Sequence, residues 1–265
     1  MRLLAVMIVL AGLLTACGQS GDKSLLDKET LVVGVRPDLP GLGFKRPDGT
    51  FEGFDIDVAR YVAGRLGRKA TFVQTLSGER ISMLTSGRAD MVLATLSVTP
   101  ERKTKIAFAG PYYASFQDVL VRSAERAKSV RELKGRRFCG VEGSDPIQRL
   151  LAVNGMTAKI VSAKDYGQCM TLIRAGAVDA ITTNDVILAG LIRGDKGFRL
   201  VNARISEQNT GIGIRRGDPD GCEALNRAIT TMYQDGTAAR LTRKWFGGTE
   251  LDRAMVEIPQ FEGCL

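Results

Sequence analysis

Short β-rich runs alternate with amphipathic helical stretches along most of this 265-residue chain, and that alternation limits the fold more than any other feature. Strands are predicted at 31–35, 71–75, 90–96, 118–122, 137–141, 159–162, 180–183, 198–201 and 211–214. The best-defined helix follows Gly53. There Phe54, Val58, Val62 and Leu66 recur every fourth residue with Ala59 and Ala63 beside them, giving one apolar stripe. Asp55 and Asp57 sit near its positive end, and Gly67 stops it. Further helices are predicted at 78–87, at 144–153 behind Asp145-Pro146, at 164–175, and as two pieces within 223–245 broken at Gly236. Strand–helix–strand repetition of this kind calls for largely parallel sheets covered by helices.

The two halves of the chain share a rhythm. Leu84-Thr85-Ser86-Gly87-Arg88-Ala89-Asp90-Met91 parallels Leu172-Ile173-Arg174-Ala175-Gly176-Ala177-Val178-Asp179-Ala180. Each reads as a helix end, a glycine, and an acid that opens a strand. Two similar α/β lobes account for that pattern, as does coincidence between ordinary helix-to-strand turns.

The amino terminus is of another kind. Arg2 precedes an apolar run of roughly 14 residues, too short to cross a bilayer. The run ends at Cys17, and Gly18-Gln19-Ser20-Gly21 follows as a polar, flexible stretch. Leu14-Thr15-Ala16-Cys17 resembles the lipobox of bacterial lipoproteins. That resemblance implies a signal peptide over 1–16, a lipid on Cys17, a tether over 17–29 and an extracytoplasmic, membrane-anchored protein. The mature part of about 249 residues has no second apolar stretch near 18 residues, so no further membrane span is expected.

Lys and Arg number 37 against 29 Asp and Glu, a net charge of +8 that suits anionic solutes or surfaces. The basic residues are scattered and aromatics make up only 6%, which argues against nucleic acid as a partner. Cys139, Cys169, Cys222 and Cys264 form an even set suited to an oxidising compartment. Of the three possible pairings, Cys139–Cys169 with Cys222–Cys264 is favoured, because each joins nearby segments and leaves the halves of the chain independent. The chain has no histidine and no closely spaced cysteine pair, so neither a metal nor a cofactor is expected.

Several blocks together carry a family resemblance. They are Gly53-Phe54-Asp55-Ile56-Asp57-Val58-Ala59-Arg60-Tyr61-Val62-Ala63, then Ala89-Asp90-Met91-Val92 leading to Ser97-Val98-Thr99-Pro100-Glu101-Arg102-Lys103. Phe108-Ala109-Gly110-Pro111-Tyr112-Tyr113 follows, then Val178-Asp179-Ala180 with Asn184-Asp185, and Gly211-Ile212-Gly213-Ile214. In this order they resemble family 3 of the bacterial extracellular solute-binding proteins, the polar amino-acid receptors of ABC importers. Pro37-Asp38-Leu39-Pro40-Gly41-Leu42-Gly43-Phe44 and the favoured Cys139–Cys169 bridge are similar to the glutamate-binding lipoproteins of high-GC Gram-positive bacteria.

The resemblance implies a two-lobed, type II periplasmic-binding-protein-like α/β fold, each lobe a mostly parallel sheet flanked by helices. Lobe 1 would take 30–116 and 211–265, lobe 2 would take 119–208, and a two-crossing hinge would lie near Gln117 and near 208–210. It further implies a monomer that binds a polar amino acid, glutamate or a relative, between the lobes and passes it to a membrane permease. A sensor for a membrane partner is an alternative, as is a dehydratase of cyclic prephenate-like acids on the same scaffold. Against an enzyme, the chain offers no histidine, no paired nucleophile and base, and no phosphate-binding loop.

The family pattern also implies a ligand set. Arg102 supplies a rigid fork for an α-carboxylate, helped by Thr95, Ser97 and amides near Thr99-Pro100. Asn184 stands where the family usually has an aspartate for the α-ammonium. It accepts through its carbonyl oxygen but brings no charge, so either Asp185 takes over or ligand preference differs. Phe54 would lie against the ligand's aliphatic part, with core packing as the alternative. Asp38 and Leu39 would face the cleft after the first strand, Leu39 where the glutamate-binding subgroup tends to carry glutamine. Gly143 and Ser144 would present N–H and O–H groups from the second lobe.

Overall fold

Two sheets share one long strand. The computed structural model describes residues 24–247 and 258–264. Its strands are β1 (Thr30–Val35), β2 (Asp38–Leu39), β3 (Gly43–Lys45), β4 (Phe51–Glu52), β5 (Lys69–Gln74), β6 (Met91–Leu93), β7 (Ala107–Arg122), β8 (Arg137–Val141), β9 (Lys159–Ala163), β10 (Ala180–Asn184), β11 (Phe198–Leu200) and β12 (Glu207–Ile214). The helices are α1 (Phe54–Arg65), α2 (Arg80–Thr85), α3 (Pro100–Lys103), α4 (Pro146–Asn154), α5 (Tyr166–Arg174), α6 (Asp185–Leu191), α7 (Pro219–Gln234) and α8 (Thr237–Phe246).

In the first lobe β1 lies between β5 and β6, parallel to both, and β12 adds antiparallel to β6. The second lobe repeats the device: β8 lies parallel between β10 and β9. The 16-residue β7 joins them, pairing antiparallel with β12 along Ala107 to Phe116 and with β10 from Gln117 to Val121. The resulting order is β5-β1-β6-β12-β7-β10-β8-β9, with β11 on the far part of β7. This is the two-lobed, mostly parallel α/β architecture that the alternation of strands and helices requires.

The first-lobe core forms where the α1 stripe meets the sheet. Phe54, Val58 and Val62 are buried with Leu31, Val33 and Val35 of β1 and with Leu225, Ile229 and Met232 of α7. A second cluster under α4 holds Val119, Val121, Phe138, Ile147 and Leu150. Each lobe carries one disulfide. Cys139–Cys169 fastens β8 to α5, and Cys222–Cys264 fastens α7 to the returning C-terminal segment, the pairing favoured from the sequence.

Three local expectations change. Residues 24–29, taken as the end of a tether, are packed against the first lobe. Ser24 caps a short 3-10 turn at Leu25–Asp27, its hydroxyl donates to Asp218 at 2.7 Å, and Leu25 is buried, so apolar burial and a capping box hold this piece down. Strand 118–122 extends back to Ala107, and β2, β3 and β4 make an additional small sheet. Cys17 and the proposed signal peptide lie outside the described residues. Among the described residues, no helix is long and apolar enough to cross a membrane.

Candidate functional site

A narrow, partly open cavity lies where the lobes meet. From the first lobe it is lined by Ser77, Arg80, Thr95, Ser97 and Arg102. From the second it receives Ser144, Asp145, Pro146, Arg149, Tyr166, Thr183, Asn184 and Ile187.

Arg102 reaches the cavity from a single helical turn. Thr99 caps α3, its hydroxyl accepting the Arg102 N–H at 3.2 Å, and Pro100 fixes the first helical position. The guanidinium is then oriented by the Ser97 carbonyl, to which Nη1 donates at 2.8 Å. Its Nη2 stands 3.5 Å from Asp145 of the second lobe. Ser97 is 7% exposed, and its hydroxyl makes no hydrogen bond within the described protein.

The loop before α3 is held from beneath. Thr95 adopts φ +50°, a left-handed conformation uncommon for a β-branched residue. Its N–H donates to Asp55 at 3.2 Å and its carbonyl accepts from Arg80 Nη1 at 3.0 Å. Asp55 is fully buried and also accepts the Tyr112 hydroxyl at 2.8 Å. Burial raises its pKa to about 7, against the lowering pull of those two donors and of Arg36.

Arg80, at the start of α2, is 4% exposed. It donates to the carbonyls of Ser77, Ala94 and Thr95 and, across the lobe boundary, to that of Gly143 at 3.3 Å. Arg36, entirely buried, grips Asp38 through Nε at 2.8 Å and Nη2 at 2.7 Å and also bonds Ser77.

The second lobe contributes smaller groups. Tyr166 donates to Thr183 at 2.7 Å, and Ser144 donates to the Val141 carbonyl at 2.6 Å. Asn184 ends β10 and precedes α6; it is 3% exposed, and its side-chain amide makes no hydrogen bond within the described protein. Arg149 pairs with Asp145 on the same helical turn. The lobes touch where only backbone fits: a Cβ on Gly143 would stand 2.2 Å from the Gly78 Cα, and one on Gly190 would stand 2.3 Å from the Pro40 carbonyl.

Of the residues singled out in the sequence, Thr95, Ser97, Arg102, Ser144 and Asn184 line this one cavity. Gly143 sits beside it at the lobe contact. Three others are placed elsewhere. Phe54 is in the core, its ring centroid 6.3 Å from Tyr112, 5.7 Å from Tyr113 and 5.6 Å from Phe246, because the α1 stripe turns it inward. Asp38 is absent from the lining, since both carboxylate oxygens are taken by Arg36; Leu39 beside it is buried core. Asp185 points along α6, accepting the Val186 N–H at 2.7 Å and facing the Phe116 amide, and burial raises its pKa to about 6. Sequence reasoning missed Arg80, Arg149, Tyr166 and Thr183. For Arg80 the nearest signal was its position two residues after Gly78, on a helix predicted to cover a sheet.

Two lobes with hydrogen-bonding groups converging from both sides on one cavity are the arrangement of a receptor for a small solute. The chain belongs to the bacterial extracellular solute-binding proteins, family 3, whose model matches residues 31–248. It is 30% identical over 251 residues to the ABC transporter glutamine-binding protein GlnH of Bacillus subtilis, an alignment spanning 88% of this chain and 92% of that one. Against the glutamate-binding protein GluB of Corynebacterium efficiens it is 33% identical, over 90% and 88% of the two chains. A solved structure of an ancestral arginine-binding protein bound to arginine superposes with a TM-score of 0.77 at 30% identity, covering 83% of this chain and 99% of that one. The family and these relatives are binding proteins rather than enzymes, and the chain is a solute-binding component of amino-acid import.

Proposed function

We propose that this protein captures a polar amino acid, glutamate or a relative, outside the cytoplasm and presents it to the permease of an ABC importer. The observation that carries the reading is the cavity between the lobes, with Arg102, the free hydroxyl of Ser97 and the free amide of Asn184 all directed into it. Arg102 takes the α-carboxylate with Ser97 and Thr95 beside it, Asn184 accepts from the α-ammonium, and Ser144 closes over from the second lobe. Lobe 1 comprises 30–116 and 211–265 and lobe 2 comprises 119–208. They hinge near Gln117 and 208–210, where β7 and β12 cross between them. A ligand that touches both lobes favours the closed arrangement. The names of the relatives, which bind glutamine and glutamate, support this ligand class. We further propose that the protein works as a monomer held to the membrane by a lipid on Cys17.

Titration calorimetry on protein freed of ligand by unfolding and refolding tests the reading. Micromolar affinity, about −8 kcal/mol, is expected for at least one polar amino acid; absence of heat with all of the common amino acids overturns it. Intact-mass measurement of membrane-extracted protein tests the anchor, which is refuted by a mass that lacks diacylglycerol.

A further inference from the structure

The two ends of the second lobe differ in character. β8 and β9 run parallel, and their carboxyl ends lead to Ser144 and Tyr166 at the cavity. Their amino ends, at Arg137 and Lys159, lie roughly 15 Å away along the strands. That far end is crowded with positive charge. Over 122–137 the chain carries seven Lys and Arg against two Glu. Arg122 and Arg137 pair with Asp179, and Arg136 pairs with Glu125. Arg126, Arg131, Lys134 and Lys159 are exposed and form no ion pair among the described residues.

The same end exposes apolar surface. Val153, near the end of α4, is 57% exposed and Ile160 of β9 is 50% exposed. They are two of the three large apolar side chains exposed among the described residues. Packing sets charge and apolar surface side by side. Val130 and Leu133 share a core cluster with Met156, and Leu151 and Ala158 pack against it. The Gly135 N–H donates to the Thr157 carbonyl at 2.8 Å, and the Lys159 N–H donates to the Arg136 carbonyl at 2.9 Å. The basic turn and the end of α4 are thereby fixed to β9, the outer strand of the sheet.

Lysine on an outer strand discourages pairing with other chains. Exposed aliphatic side chains beside unpaired cations do more. They match a layer of anionic headgroups, the cations meeting phosphates and the aliphatic groups entering the headgroup boundary. The first lobe supplies a second observation. Ser24, where the described chain begins, bonds Asp218 just ahead of α7 and precedes β1. The chain arriving from residue 17 thus meets the protein at the amino end of the first-lobe strands, also away from the cavity.

We propose that the amino end of the second-lobe sheet is a docking surface for an anionic phospholipid bilayer, on which the receptor rests with its cleft turned toward solute. The surface is independent of which solute the cleft takes.

The test uses residues 18–265, which contain every described residue of both lobes and no lipid anchor. Sedimentation with vesicles of phosphatidylcholine and phosphatidylglycerol in equal parts is expected to show about 100-fold stronger partitioning than with phosphatidylcholine alone. Raising the salt from about 0.1 M to about 1 M shortens the screening length from about 10 Å to about 3 Å and abolishes the difference. Replacing Arg131, Lys134 and Lys159 together by glutamate lowers partitioning about 100-fold. The same change of charge on first-lobe helices, at Arg65, Arg227 and Arg243, lowers it less than about tenfold. Val153→Ser with Ile160→Thr lowers it about fivefold. Circular dichroism confirms that each variant is folded. Equal losses from the two triple variants reduce the effect to net charge and overturn the proposal. So does equal partitioning onto both kinds of vesicle. Absence of vesicle binding, which leaves an acidic protein surface as the occupant, overturns it too, as does a dimer in sedimentation velocity that Ile160→Thr dissolves. Amino-acid calorimetry on the same variants is expected to be unchanged, so failure of the receptor reading and failure of this one are separately visible.

Discussion

The two lobes are built alike and equipped differently. Each centres on three parallel strands, β5-β1-β6 in one and β9-β8-β10 in the other, and each carries one disulfide. The first lobe brings Arg80 and Arg102 to the cavity, both oriented by backbone carbonyls. The second brings hydroxyls, an amide, and an Arg149–Asp145 pair that largely cancels itself. Repeating a scaffold thus does not repeat its charge. On the proposed reading, the first lobe would supply the electrostatic attraction and the second the neutral hydrogen-bonding groups that complete the enclosure.

The sharpest way to break this comparison is through stability. Phe54→Ala removes a ring packed on Tyr112, Tyr113 and Phe246, and is expected to destabilise the first lobe by about 4 kcal/mol. Urea titration followed at the single Trp245 reads that lobe; a loss under 1 kcal/mol would move Phe54 out of the core and back toward the ligand. In the second lobe, replacing Cys139 and Cys169 together by serine opens a loop of sequence separation 30, worth roughly 3–4 kcal/mol in the chain-entropy model. Hydrogen exchange should register that loss in β8 and α5 and leave α1 unchanged.

Smaller effects address the cleft itself. Arg102→Ala is expected to weaken amino-acid binding about 100-fold by calorimetry, whereas Asn184→Ala weakens it less than about tenfold. Equal losses would erase the distinction between the lobes. The smallest effect is one of pH. Asp55 in the first lobe and Asp185 in the second have folded pKa values raised to about 7 and about 6 from 3.8. Their contributions to stability are fully present below the unfolded value of 3.8 and are lost as pH rises through the folded values. Denaturation midpoints should therefore decline from pH 4 toward pH 7, and Asp55→Asn should flatten the first-lobe share of that decline.

Much of the fold could be read from the chain because parallel strands buried on both faces leave plain apolar runs, as in Leu31-Val32-Val33, separated by amphipathic helices. The exceptions have physical causes. β2, β3 and β4 are two or three residues long and lie among prolines and glycines, too short to show alternation. The first half of β7 contains Gly110-Pro111, which reads as a break, yet the chain stays extended because β12 pairs along it, with a register shift between Thr210 and Ile212. Helix α6 is apolar nearly all round, Val186-Ile187-Leu188-Ala189, and so has no helical period to detect. In the site, Arg102 was legible through its surrounding block. Arg80 was not, since Gly78-Glu79-Arg80 has the composition of a solvated turn, and its burial comes from distant partners, the carbonyls of Ala94 and Thr95 and, across the lobes, of Gly143.

Strand β7 carries one last consequence. A ribbon of two hydrogen-bonded strands is stiff against sliding and compliant in twist. Because β7 belongs to both sheets and β12 accompanies it through the crossing, the halves cannot translate past one another without breaking the ladder at Gln208, Asn209 or Thr210. If the lobes open as proposed, the ribbon leaves them a rotation and not a slide, and each closure brings Arg102 and Asn184 back to the same cavity.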